Sequence, residues 1–229
     1  MLLSALVAVS GSSHHLRGVV RALRLPPGTV RVERVPQAGV SAVRCRIASG
    51  ASVRSFHPFV ARLRRSRLPR GVKQQAHRIL QRLAQAERRV HHGTAHAHRL
   101  YEVGHLDTLV SSAGCAWLLD ALEVDAVYVG VLPLGYGWHQ TAKGILPNPG
   151  PVVLELLRGW PVRFTKLPYE LVTPTAAAML TTIAQPLAAE PRAWRLLRIG
   201  YGAGTRSIPG LPGVVRACLM EATASVRSA

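Results

Sequence analysis

The stretch Pro69-Arg-Gly-Val-Lys-Gln-Gln-Ala-His-Arg-Ile-Leu-Gln-Arg-Leu-Ala-Gln-Ala-Glu-Arg-Arg-Val-His91 carries the clearest helical period in the chain. Val72, Ala76, Ile79, Leu80, Leu83, Ala84 and Val90 form one apolar stripe, and Lys73, Arg78, Arg82, Arg88 and Arg89 fall off it. Spacing of this kind predicts an amphipathic helix with one face in a core. On the N-terminal side, Met1–Val9 reads as a helix closed by Gly11, and Ser13–Leu25 as a second stopped by Pro26-Pro27. Thr29–Val35 and Gly39–Ile47 alternate apolar and polar residues, which predicts a strand pair joined through Pro36–Gly39, and a short helix over Pro58–Arg67 follows. On the C-terminal side, helices are predicted over Leu106–Leu122, Val152–Arg158 and Thr173–Ala184, the last with Pro174 in its first turn. Within Leu106–Leu122 the residues expected inward are Leu109, Val110, Ala113, Trp117, Leu118 and Leu122. Ala126–Leu132 reads as a buried strand, Pro133–Pro151 as mostly loop, and Arg195–Ile199 and Val214–Leu219 as closing strands. Helices and strands so irregularly mixed predict an α+β (mixed α/β) fold, a single compact domain of helices on a mixed sheet. That domain is expected to fill residues 1–229, with a flexible tail from about residue 221.

The bulk properties narrow the function without naming it. A length of 229 residues supports a sizeable core, and the net charge of +18 favours anionic partners such as phosphates. Lys73, Lys143 and Lys166 are the only lysines, so arginine supplies nearly all of the excess. The arginines are scattered, and no aromatics interleave on the polar face of the long helix, so that face reads as solvated more readily than as a nucleic-acid surface. Cys45, Cys115 and Cys218 are odd in number and have no Cys-x-x-Cys spacing, which argues for a reducing cytoplasm. No segment has the roughly 18 apolar residues that a membrane crossing needs, and Met1–Val9 lacks the leading positive charge of a signal peptide.

Several clusters have ligand chemistry. His91, His92, His96 and His98 lie close to Glu102 and Asp107, a donor set suited to nickel or zinc, although histidines at a helix end are more often hydrated or bonded to its carbonyls. Gly135-x-Gly137 and the glycines of Gly200–Thr205, Gly202 and Gly204 among them, permit close backbone approach to a phosphate or simply a tight turn. Thr173 and Thr175 open a helix, where a threonine caps free amides and an anion is favoured. There is no Walker lysine, no Gly-x-Gly-x-x-Gly register and no Gly-x-Ser-x-Gly elbow. Eleven acidic residues spread along the chain leave little material for a paired-carboxylate hydrolase.

Five runs go further than spacing. They are Leu83-Ala-Gln-Ala-Glu-Arg-Arg-Val-His-His-Gly93, Glu102-Val-Gly-His-Leu-Asp107, Val131-Leu-Pro-Leu-Gly-Tyr-Gly137, Tyr169-Glu-Leu-Val-Thr-Pro-Thr-Ala-Ala-Ala178 and Ile199-Gly-Tyr-Gly-Ala-Gly-Thr-Arg206. In this order they resemble the nickel-insertion proteins of the LarC type, from Met1 to about Met220. The resemblance implies nickel insertion into the pyridinium-3,5-bisthiocarboxylic acid mononucleotide, a step in building the nickel-pincer cofactor, by a chelatase or cyclometallase of the lyase class. Under it, Glu102 and Asp107 are the catalytic candidates, and His91, His96, His98 and Glu102 the metal-holding set. Gly135, Gly137, Thr173, Thr175, Gly202 and Gly204 would hold the substrate phosphate. A nucleoside triphosphate, CTP in the family, is expected to need a C-terminal portion that a separate chain could supply.

The departures from the family pattern bear on the metal. The family's His-x-His-Glu run is Arg99-Leu-Tyr101-Glu102 here, with a His-x-His three residues earlier at His96 and His98. A second family aspartate is Ser111, a His-Gly is Lys143-Gly144, and the glycine after Thr-Pro-Thr is Ala176. The family's opening strand and its acidic turn would precede Met1, and its histidine-rich stretch after the second strand is missing. These changes remove imidazoles and a carboxylate and add cations that repel a divalent ion. Two further readings therefore stand beside nickel insertion. One is a non-catalytic relative that keeps the fold and binds a mononucleotide or partner chain. The other is a basic nucleic-acid-binding module.

Overall fold

Helices α1 (Leu2–Ser10) and α2 (His14–Ala22) are separated by Gly11, which takes a left-handed φ of 72° and donates its amide to the Ala8 carbonyl. A residue with a Cβ is strained in that conformation, so α1 stops where a glycine permits the turn. Strands β1 (Val30–Gln37) and β2 (Val40–Ile47) pair antiparallel, in register up to Gln37↔Val40. Ala38 and Gly39 alone make the turn, both at positive φ (51° and 78°), the sign that matches the strand twist. Pro36 lies inside β1 rather than in the turn, a position tolerated because β1 is the edge of its sheet.

The remaining elements are α3 (Phe56–Arg65), α4 (Arg70–Val90), α5 (Leu106–Ala121), β3 (Tyr128–Val129), β4 (Leu132–Leu134), β5 (Trp138–Thr141), β6 (Gly144–Pro147) and α6 (Pro151–Leu156). Then come β7 (Val162–Phe164), α7 (Pro174–Ile183), β8 (Gln185–Pro186), β9 (Trp194–Ala203) and β10 (Val214–Ala222). The computed structural model describes residues 1–48, 56–91, 105–141, 144–187, 193–206 and 209–223. This is the expected α+β architecture. The tail expected from about residue 221 falls, after residue 223, outside the described residues, and β10 runs to Ala222.

The largest sheet has the order β1-β2-β9-β10 and is mixed. β9 pairs antiparallel with β10 and parallel with β2, the latter through Val43↔Gly202. Helix α1 lies against β9 at a distance only glycine allows. A Cβ on Gly200 would stand 2.4 Å from the Val9 nitrogen, and one on Gly202 2.3 Å from the Ala5 nitrogen. The two glycines share one face of the strand, and α1 occupies it.

Helix α5 is the centre of the helical layer. Leu109, Val110, Ala113 and Leu118 are fully buried, as the sequence pattern expects, and Thr108 and Ser112 are buried with them. Trp117 is half-buried and meets His15 edge-on at 6.1 Å, over Gly18 of α2. Along α4 the stripe Val72, Ala76, Ile79, Leu80 and Leu83 is buried, and Ala84 and Val90 pack at its margin. Polar contacts fix the neighbours of α4. Arg82 Nε donates to Thr181 Oγ1 of α7 at 2.7 Å, and Arg89 pairs with Glu155 of α6 at 3.0 Å. The Arg89 hydrogen bond holds the Glu155 carboxyl below its ordinary range.

The structure departs from expectation in the 126–151 region. In place of one buried strand over Ala126–Leu132 there are β3 and β4, paired in parallel with β8 and β7 on either side of the exposed Gly130. The predicted loop contains the antiparallel hairpin β5–β6, in register from Trp138↔Pro147 to Thr141↔Gly144. Among the described residues, no helix is long and apolar enough to cross a membrane.

Burial also orders the thiols. Cys218 is exposed on β10, burial pushes the Cys45 thiol up, and burial pushes the Cys115 thiol up to about 12. A disulfide reagent at mildly alkaline pH is therefore expected to label Cys218 promptly, Cys45 slowly and Cys115 only on unfolding. Mass spectrometry of the native and denaturant-treated chain checks that order.

Candidate functional site

The first turns of α5 and α7 meet. Asp107 lies in the first turn of α5, and its Oδ1 accepts the Thr108 amide at 2.8 Å. Thr173 is the N-cap of α7, its Oγ1 accepting the Ala176 amide at 3.2 Å, with Pro174 in the first turn. The hydroxyls of Thr108 and Thr175 stand 3.5 Å apart, so residues 67 positions distant in sequence join the two helix starts. Each helix presents the positive end of its dipole there, and an anion beside both is favoured. Asp107 is exposed and Thr175 half-buried, so the junction opens to solvent.

The glycine turn after β4 is stitched to the segment that leads into α7. A Cβ on Gly135 would fall 1.9 Å from the Tyr169 carbonyl oxygen and 2.8 Å from that of Leu167. The Tyr136 amide donates to the Leu167 carbonyl at 2.9 Å, and the Thr165 amide to the Leu134 carbonyl at 2.8 Å. Gly137 turns the chain at φ 88°, and its carbonyl accepts the Asn148 amide at 2.8 Å. Glu170, next along the segment, pairs with Arg206 at 3.8 Å and ties it to the β9–β10 connection. Gly135 and Gly137 thus shape the chain entering Thr173. The amide between them, that of Tyr136, is already engaged.

Gly202 and Gly204 have different surroundings. Gly202 lies in β9 between β2 and β10, and α1 fills the space where its side chain would be. The Gly204 amide donates to the Gly213 carbonyl at 3.0 Å, and its own carbonyl accepts Arg44 Nε at 2.9 Å. Packing and sheet bonding account for both, where the sequence suggested phosphate contact.

Of the candidate metal donors, His91 is described and His96, His98 and Glu102 lie outside the described residues, as do Arg99 and Lys143. His91 caps the C-terminus of α4, its amide bonded to the Glu87 carbonyl at 3.0 Å. Glu87 itself is only 2% exposed, a buried carboxylate one turn before His91 on the same helix face. Sequence reading passed over Glu87. The available signal was its position: it continues the buried stripe Ala76, Ile79, Leu83, where an acid is costly unless it has a task or a partner. Among the described residues, no group of three or more His, Cys, Asp or Glu side chains is arranged to hold a metal ion.

Comparison with known proteins gives this geometry a family. The family model described as "Nickel insertion protein" matches residues 1–229. The "Putative nickel insertion protein" of Geotalea uraniireducens is 37% identical over 229 residues, 98% of this chain and 58% of that protein. The "Pyridinium-3,5-bisthiocarboxylic acid mononucleotide nickel insertion protein" of Geobacillus kaustophilus is 31% identical, across 97% of this chain and 57% of that protein. No solved structure matches. The chain thus spans somewhat over half the length of these relatives, 58% and 57%. On the full-length family match and these identities, the chain belongs to the nickel insertion protein family.

Proposed function

We propose that this chain takes part in loading nickel into a pyridinium-3,5-bisthiocarboxylic acid mononucleotide, with the junction of α5 and α7 holding the substrate. The single observation that carries the placement is the 3.5 Å approach of Thr108 and Thr175 beside Asp107. Two helix N-termini and the half-buried Thr175 hydroxyl suit the phosphate of a mononucleotide, with the buried Thr108 hydroxyl beside Thr175 as its support. Thr173 contributes less directly, because its oxygen caps Ala176. Asp107 keeps carboxylate capacity beyond its bond to Thr108, and serves the incoming cation or a proton released from the substrate. His91, at the negative end of the α4 dipole, with Glu87 one turn before it, forms the described part of a nickel-donor set. On this reading His96, His98 and Glu102 complete that set, and a nucleoside triphosphate acts through the portion of the relatives that this chain does not span.

Calorimetric titration of the purified chain with nickel(II) tests the proposal. Saturable binding is expected, weakened about tenfold or more by His91→Ala and by the double replacement of His96 and His98. Addition of the mononucleotide is expected to tighten binding in the parent chain and not in Asp107→Asn. Absence of nickel binding would overturn this assignment. A second reading has the sequence departures in its favour, Arg99-Leu-Tyr101 and Lys143 standing where the family resemblance implies imidazoles. In it the chain keeps the fold and the mononucleotide site without holding metal, so mononucleotide binding would persist while nickel binding is absent.

A further inference from the structure

Glu33 is the only acidic residue before Glu87, and this acid-poor sequence builds a basic cleft between α2 and α3. Helix α2 ends at Ala22, and the Arg67 amide donates to the Ala22 carbonyl at 3.1 Å, bringing the end of α3 against the end of α2. Between them lies a cleft of about 340 Å³ lined by Leu23, Arg24, Pro58, Ala61, Arg62 and Arg65, with Ser66 at its end. Helical spacing explains the lining. Pro58, Ala61, Arg62 and Arg65 follow i, i+3, i+4, i+7 on one face of α3, while Phe59 and Leu63 turn into the core. Arg24 enters from the opposite wall on a backbone at φ 52°, a left-handed conformation that a residue with a Cβ adopts at a cost. Among the described residues, no carboxylate pairs with Arg24, Arg62 or Arg65. The nearby Lys73 is directed elsewhere, its ammonium donating to the Ser66 carbonyl at 2.9 Å.

We infer that this cleft is a binding site for a small phosphorylated ligand, a phosphomonoester or diphosphate carried on a compact apolar or planar group. Three arginines line the cleft from two walls, and among the described residues none of them pairs with a carboxylate; guanidinium forks match phosphate oxygens two at a time. The floor is apolar: Leu23, Pro58 and Ala61 offer no hydrogen bonds, so they suit the organic part of the ligand. The volume lies at the small end of ligand pockets, and among the described residues the lining includes no aromatic side chain on which successive bases of a nucleic acid would stack.

The test uses the full chain without nickel, so its result is independent of the metal assignment. Phenyl phosphate and inorganic pyrophosphate are titrated by calorimetry at two salt concentrations, alongside a single-stranded oligonucleotide. Saturable binding of the small phosphates is expected, weakened about tenfold in Arg62→Ala/Arg65→Ala and again in Arg24→Gly. Arg24→Gly removes the guanidinium while relieving the positive φ, so its melting temperature is expected to hold or rise, which separates loss of binding from loss of fold. Arg216→Ala, which removes the same charge from β10, is expected to leave binding unchanged. Equal weakening by Arg216→Ala, or no saturation by either small phosphate, would overturn the site. Oligonucleotide binding that outcompetes both phosphates and is lost in the same variants would overturn it in favour of nucleic acid.

Discussion

Replacing Gly202 with alanine is expected to destabilise the fold by about 3 kcal/mol, the upper end of what one inserted methyl costs in a tight interior. The new Cβ would lie 2.3 Å from the Ala5 nitrogen, 2.4 Å from the Met1 carbonyl oxygen and 2.8 Å from the Ala5 Cα. All three are backbone atoms of α1 or its cap, so no rotamer change clears the clash and the whole helix must move off the sheet. For a domain of this size the loss corresponds to a fall of roughly 10 °C in melting temperature. Gly130→Ala, with open space around its position, is the matched control and is expected to be near neutral. Thermal melts followed by circular dichroism decide the matter. A Gly202→Ala chain that melts with the parent would mean that α1 does not sit on β9 as described, and would reopen the case for Gly202 as a ligand contact.

The second large effect lies where α1, α2 and α5 meet. Leu3 is 5% exposed and faces Gly114 of α5, where an added Cβ would stand 2.7 Å from Leu3 Cδ1 and 3.3 Å from Leu16 Cδ1. Leu3→Ala is expected to cost about 2–5 kcal/mol, the range for emptying a buried leucine site. Gly114→Ala alone is expected to cost about 1–2 kcal/mol, because its neighbours are the ends of flexible side chains. The double variant is expected to be less damaged than the sum, since the alanine methyl at 114 enters the space Leu3 leaves. Urea denaturation of the four chains measures the coupling. Strict additivity would show that the two sites do not share that space.

The helical layer was legible because each helix carries its own signal. The 69–91 stripe, the Gly11 stop and the Thr173-Pro174 start are local, and all appear where the sequence places them. The small strands were not legible because their partners are distant. Tyr128–Val129 pairs with Gln185–Pro186, and Leu132–Leu134 with Val162–Phe164, so no window of a few residues contains the reason for either strand. The β5–β6 hairpin was hidden by glycine and proline density, which reads as loop although short hairpins use the same residues. At the candidate site, the helix starts at Asp107 and Thr173 were readable and their meeting was not. Glycine posed the converse difficulty. Close approach to a ligand and close approach to another backbone call for the same residue, and only coordinates tell Gly202 from a phosphate turn.

The parallel join between β2 and β9 has a bearing on synthesis. Arg44 and Gly204, bonded across it, are 160 positions apart. The β1–β2 hairpin can therefore form soon after it leaves the ribosome, yet its β2 edge stays uncovered until β9 emerges much later. Throughout that interval the nascent chain offers an unfinished strand edge to any other extended segment, and early contacts between chains are favoured there.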